Sequence, residues 1–130
     1  MLEPGMQRRE SVDIEATSRE ASQLGFTIYL LPQGMISRDS FFEAVRLQFP
    51  LDPPIQSSRS WDALSDSLWG GLNNLTNNRI LIIWPDSSSL AQESPEDFEM
   101  AMNILEDVAL GLGNHDLTNG HPKLVSVIIA

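Results

Sequence analysis

The chain has 130 residues, enough for one domain with a real core. Eighteen Asp and Glu against eight Lys and Arg leave a net charge of -10, which argues against nucleic acid or an anionic membrane surface as partner. There is no cysteine, so disulfides, thiolate chemistry and Cys-ligated zinc are excluded. The hydrophobic share, 42%, is too high for a disordered acidic polymer. The longest dense apolar run, Ile80 to Trp84, has the length of a strand, not of a membrane span. Acidic residues follow Arg8-Arg9 where a signal peptide needs an apolar core. A cytoplasmic protein is expected.

Residues 1–10 show no apolar periodicity and read as a flexible tail, with a single domain over residues 11–130. Asp13 to Leu24 reads as a weak helix closed by Gly25. Phe26 to Leu31 reads as a strand. Ser37 or Asp39 can cap a helix running to about Phe49. Pro50, Pro53 and Pro54 open a loop that runs to Ser60, the cap of the next helix.

In that helix Trp61, Leu64, Leu68 and Leu72 make one apolar stripe, and Gly70-Gly71 should weaken its last turns. Arg79 to Trp84 is a second strand, apolar on both faces as a doubly covered strand should be. Ser94-Pro95-Glu96-Asp97 starts a long helix that ends at Gly111 or Gly113. Leu124 to Ile129 is a third strand, expected in the centre of the sheet. Strands separated by helices need crossovers, which make parallel sheets. The fold class is therefore α/β, with a three-stranded parallel sheet packed by helices.

The charge is concentrated. Residues 60–110 hold nine acids against one base, Arg79, and so carry -8 of the total. Solvated helix faces and carboxylates at helix N-termini account for part of this. The informative segment is Trp61-Asp62-Ala63-Leu64-Ser65-Asp66-Ser67-Leu68-Trp69. On a helical wheel, with Trp61 at the origin, Asp62 and Asp66 fall at about 100° and 140° and Trp69 at about 80°. Two carboxylates at i, i+4 repel. An acidic pair beside a half-exposed aromatic suits a cationic protein partner. A solvated face with a Trp covering the rim of the core fits the same pattern equally well.

No phosphate-binding loop, nucleophile elbow, dinucleotide fingerprint or zinc helix is present. His115 and His121 share one loop and read as solvated. No cofactor and no metal are expected. Asp62 and Asp66 as the acid and base of a hydrolase would sit on an exposed helix with nothing to tune them.

The Trp61-Asp62-Ala63-Leu64-x-Asp66-x-Leu68 segment resembles the signature helix of the barstar family, intracellular inhibitors of barnase-type ribonucleases. Phe49-Pro50 before it, the Ile80–Trp84 strand, the late helix and the C-terminal strand stand in the same order, over about residues 12–130. Gln23-Leu24-Gly25-Phe26 is similar to longer members with an extra N-terminal helix. The resemblance implies a three-stranded parallel sheet, no enzymatic activity and no cofactor. It also implies a basic partner, a ribonuclease, blocked by carboxylates that replace RNA phosphates. By resemblance those are Asp66 at the centre, flanked by Asp62 and Glu106.

Trp69 and the 51–60 loop, with Ser58 and Arg59, would form the rim; the free protein would be a monomer. The family usually has an aromatic, a Gly and an Asn before the helix, where this chain has Ser57, Ser58 and Ser60 around Arg59, in a longer loop. That divergence points away from barnase itself. It favours a second reading, an acidic binding or regulatory module with a non-nuclease partner.

Overall fold

The computed structural model describes residues 2–130. Four strands, β1 (Gly5–Arg8), β2 (Thr27–Leu30), β3 (Arg79–Trp84) and β4 (Leu124–Ile129), form one all-parallel sheet in the order β1-β4-β3-β2. Five helices surround it: α1 (Ile14–Gln23), α2 (Arg38–Gln48), α3 (Trp61–Asn73), α4 (Ser87–Glu93) and α5 (Pro95–Leu112).

Two expectations are corrected. The sheet has four strands rather than three, and the extra one comes from the segment read as a flexible tail. Gly5, Met6, Gln7 and Arg8 pair with Ser126, Val127, Ile128 and Ile129, and the Arg9 amide donates to the Ile129 carbonyl at 2.9 Å. An edge strand held mainly by main-chain hydrogen bonds leaves no apolar alternation to read. Helix α4 was also not expected. Its Ser87-Ser88-Ser89 start resembles a loop, and only Ser87 and Leu90 are buried.

Local chemistry explains most of the boundaries. Asp13 accepts from the Ala16 amide at 3.0 Å and caps α1. Ser37 and Ser40 form a capping box at the head of α2. Ser60 accepts from the Ala63 amide at 3.0 Å and caps α3. Pro95 occupies the first turn of α5, but the Ser94 hydroxyl donates to the Ile36 carbonyl at 3.0 Å instead of capping.

Burial follows the strand period of two. Ile80, Ile82 and Trp84 of β3, with Val125, Val127 and Ile129 of β4, meet α2, α3 and α5 in the main core. Leu81, Ile83 and Ile128 point the other way, onto Ala21 of α1 and Phe26. All five residues from Ile80 to Trp84 are fully buried, as a strand covered on both faces requires. β4 lies between β1 and β3, in the interior of the sheet.

The Gly70-Gly71 pair does not end α3, which runs on to Asn73. It marks a crossing. A Cβ on Gly71 would collide with the Pro50 carbonyl, and one on Gly70 with the Asp52 carbonyl. The loop backbone lies directly on the helix there. The Asp52 amide donates to the Ser67 carbonyl at 2.9 Å, and Asn74 Nδ2 donates to the Asp52 carboxylate at 2.7 Å.

Candidate functional site

Helix α3 buries Leu64, Ser67, Leu68, Gly71 and Leu72, which turns Asp62 and Asp66 to solvent. Trp61 is half-buried against the aromatic core, with ring centroids 5.9 Å from Phe41 and 4.9 Å from Phe42. Trp69 is also half-buried but leans the other way, toward α5. A Cβ on Gly111 would lie 3.0 Å from its indole nitrogen and 3.9 Å from Leu117 Cδ1. Glycine at 111 thus lets the indole approach α5, and Leu117, 61% exposed, extends the apolar patch. A sequence pattern gives no sign of Leu117, since the contact is made by a loop folding back.

The two sides of α5 separate its acids. Arg8 Nη2 lies 2.7 Å from Met102 Sδ, and Leu110 Cδ2 lies 3.7 Å from a Cβ placed on Gly5, so Met102 and Leu110 mark the flank facing β1. Gly111 marks the flank facing α3. At about 100° per residue Glu106 is turned about 140° from Gly111 and falls between Met102 and Leu110, whereas Asp107 is about 40° from Gly111. The fold therefore gathers Asp62, Asp66 and Trp69 on one side and leaves Glu106 on the other flank of α5. Asp107, exposed and one turn before Gly111, is the α5 carboxylate beside α3.

Among the described residues no ion pair neutralises this surface. Among the described residues the ion pairs are Arg19–Glu15 at 3.2 Å and His115–Asp116 at 3.6 Å, and neither involves Asp62, Asp66 or Asp107. The 51–60 loop is fastened at both ends, by the Asp52 bonds to α3 and by the Ser60 cap. Within it Arg46 Nη1 donates to the Ser58 hydroxyl at 3.2 Å, and the Arg59 amide donates to the Ser57 hydroxyl at 3.1 Å. Ser58 is thus tied back to α2, whereas Arg59, like Gln56 and Ser57 before it, is exposed.

Three ionisable groups away from this face are perturbed for structural reasons, and burial raises the Tyr29 hydroxyl. Hydrogen bonds from the Ser89 hydroxyl at 2.7 Å and the Gly34 amide at 2.8 Å hold the Asp86 carboxyl below its usual range. Burial lowers the Lys123 ammonium, which donates to the carbonyls of Leu75 at 2.7 Å and Asn77 at 3.0 Å. His115 and His121 are exposed. Among the described residues no three His, Asp or Glu side chains converge as metal ligands. No helix of the described chain is long and apolar enough to cross a membrane.

This is a parallel α/β fold in which α3 presents an acidic face beside a half-buried tryptophan. Residues 26–119 match the family model described as Barstar (barnase inhibitor), and the chain belongs to that family. No curated protein and no solved structure matches it. The match begins at the residue before β2, so β1 and α1 precede the matched region.

Proposed function

We propose that this protein is a non-enzymatic, cytoplasmic inhibitor of immunity type that occludes the cationic active site of a ribonuclease toxin. The observation that carries the proposal is the unneutralised acidic face of α3 and α5, in a chain of a ribonuclease-inhibitor family. A ribonuclease site holds phosphate with Lys, Arg and His, so it offers the complement of that face. Asp66 stands at the centre as the phosphate mimic, between Asp62 and Asp107. Trp69 and the 51–60 loop, with Arg59 and Ser58, shape the rim. The divergence of the 51–60 loop from the family pattern favours a target other than barnase, and on a second reading a basic partner without nuclease activity.

The decisive variant is Asp66→Ala. Removing one member of a desolvated charge pair leaves the partner's cations buried and unpaired, a loss of about 2–5 kcal/mol in binding. That is roughly 30- to 3,000-fold in affinity. The free protein should melt at the same temperature or higher, because repulsion from Asp62 is relieved and helix propensity rises. Wild type and variant would be titrated into RNA-cleavage assays with barnase and with any basic ribonuclease that the wild type captures from its native host. Equal inhibition by the two proteins sinks the phosphate-mimic assignment. Capture of a basic, nuclease-inactive partner by the wild type alone supports the second reading.

A further inference from the structure

We propose that the cleft outside the carboxyl ends of β1, β4 and β3 binds a small organic phosphate, a phosphoryl group carried on a flat apolar body, through Arg8 and Arg9. The cleft has a volume of about 310 Å³ and is lined by Arg8, Arg9, Ser87, Ser88, Ala91, Phe98, Ile129 and Ala130. It is separate from the acidic face of α3 and independent of the inhibitor function.

Topology is the first argument. The chain leaves β1 for α1, on the face of Leu81, Ile83 and Ile128. It leaves β3 for α4 and α5, on the face of Leu90 and Leu105. Neighbouring connections that depart to opposite faces open a crevice at the carboxyl edge of a parallel sheet, and such crevices are where open α/β sheets receive ligands. Here β4 forms the floor of that crevice. The Arg9 amide donates to the Ile129 carbonyl on one side, and the Ser87 amide and hydroxyl donate to a main-chain oxygen of Ala130 on the other, each at 2.9 Å.

Charge is the second argument. Arg8 and Arg9 are two of only eight basic residues in a chain of net charge -10, and neither forms an ion pair among the described residues. Arg8 is not free to wander. Its guanidinium carbon lies 5.9 Å from the centre of the Phe98 ring, and Nη2 lies against Met102 Sδ. Those partners are soft and neutral, so most of the guanidinium donors stay available in a fixed fork, the arrangement that suits a phosphoryl group. Arg9, hydrogen-bonded to Gln7 Oε1 at 3.0 Å, adds charge from the rim. The exposed Ser88 hydroxyl, only 3.5 Å from Asp86 Oδ1, can turn to a ligand.

The lining sets the rest of the ligand. Ala91, Phe98 and Ile129 are apolar and the cleft exceeds what a bare oxyanion fills, so the anion should carry a flat apolar body.

The test uses the full chain, labelled with 15N, titrated with phenyl phosphate, inorganic phosphate and phenol at constant ionic strength. Phenyl phosphate should give saturable amide shifts centred on Arg8, Ser88, Phe98 and Ile129. Inorganic phosphate should shift the same residues at least about tenfold more weakly, and phenol should shift none of them. Arg8→Gln should weaken phenyl phosphate about tenfold or more, as expected for losing a charge-assisted hydrogen bond. The amide spectrum itself reports whether the variant is folded, and Arg9→Gln, at the rim, gives a second and smaller loss. The proposal is overturned if phenyl phosphate shows no saturation at these residues. Equal binding by the Arg8→Gln/Arg9→Gln double variant overturns it too, as does phenol matching phenyl phosphate.

Discussion

Gly71→Ala separates what the sequence suggests from what the fold requires. In a helix interior Ala is favoured over Gly by about 1 kcal/mol, so the substitution should stabilise α3. At residue 71 the new methyl would meet the Pro50 carbonyl oxygen and carbon and would lie 2.9 Å from the Leu51 nitrogen. These are main-chain atoms, which no side-chain rotation can clear. The loop must lift, at an overpacking cost of about 1–3 kcal/mol. Lifting it also breaks the bond from the Asp52 amide to the Ser67 carbonyl, about 0.5–1.5 kcal/mol more. Set against the helical gain, the variant should be less stable than wild type by about 0.5–3.5 kcal/mol.

Urea denaturation followed by circular dichroism measures this directly. Gly111→Ala is the control, because there the close neighbour is the Trp69 side chain, which can shift, and the change should be small. A Gly71→Ala protein as stable as wild type would refute the crossing of loop and helix. Partner binding should fall as well, since Pro50 to Asp52 carries the root of the loop that rims the proposed interface, although Gly71 itself is buried.

A chain starting at Ser11 should be destabilised on the order of 3 kcal/mol, because it loses the β1 ladder along β4; calorimetry showing an unchanged melting temperature would return residues 1–10 to the status of a tail. Trp61→Ala should cost about 3 kcal/mol through lost contact with Phe41 and Phe42. Trp69→Ala should cost less stability and more binding, and a reversed order in denaturation and inhibition assays would contradict the helix orientation. Asp86 predicts a feature of the acid limb. Its folded pKa is depressed, so between the folded and unfolded values the unfolded chain binds more protons and stability rises with pH. The contribution is present above the unfolded value and is lost as pH falls through the folded one. Asp86→Asn should flatten that part of the stability–pH curve, and an unchanged acid limb would show that Asp86 does not contribute to it.

The readable elements were those with side-chain signatures. Caps at Asp13, Ser37 and Ser60, Pro95 at a helix start, and the unbroken Ile80–Trp84 run fixed four helices and two inner strands to within a few residues. β1 stayed hidden because its hydrogen bonds are to a strand at the far end of the chain, and main-chain pairing writes little into Gly5, Met6, Gln7 and Arg8. The Gly70-Gly71 pair was legible as helix-weakening but not as a crossing point, since the Pro50 and Asp52 carbonyls that need the space lie in another element. On the acidic face, Asp62, Asp66 and Trp69 follow from one helix's own period. The position of the α5 carboxylates relative to α3 does not, because which flank of α5 meets α3 shows only in Gly111 against Trp69 and Met102 against Arg8.

The pairing of Gly5 with Ser126 has a consequence for how the protein is made. Of the four strands of the sheet, the first to be synthesised has its only neighbour in the last. At about 5–20 residues per second the roughly 120 residues from Gly5 to Ser126 take about 6–24 s to synthesise, and through that interval β1 has no ladder to join. β2 and β3 can associate earlier, but the edge of β3 that will receive β4 stays open, with Ile80 to Trp84 uncovered on that side. Closure is therefore a late, long-range event in which β4 slots between two waiting strands, and that kind of contact slows folding. Nascent chains stalled before residue 124 should bind holdase chaperones through the exposed edge of β3, and release of the full chain should end that binding.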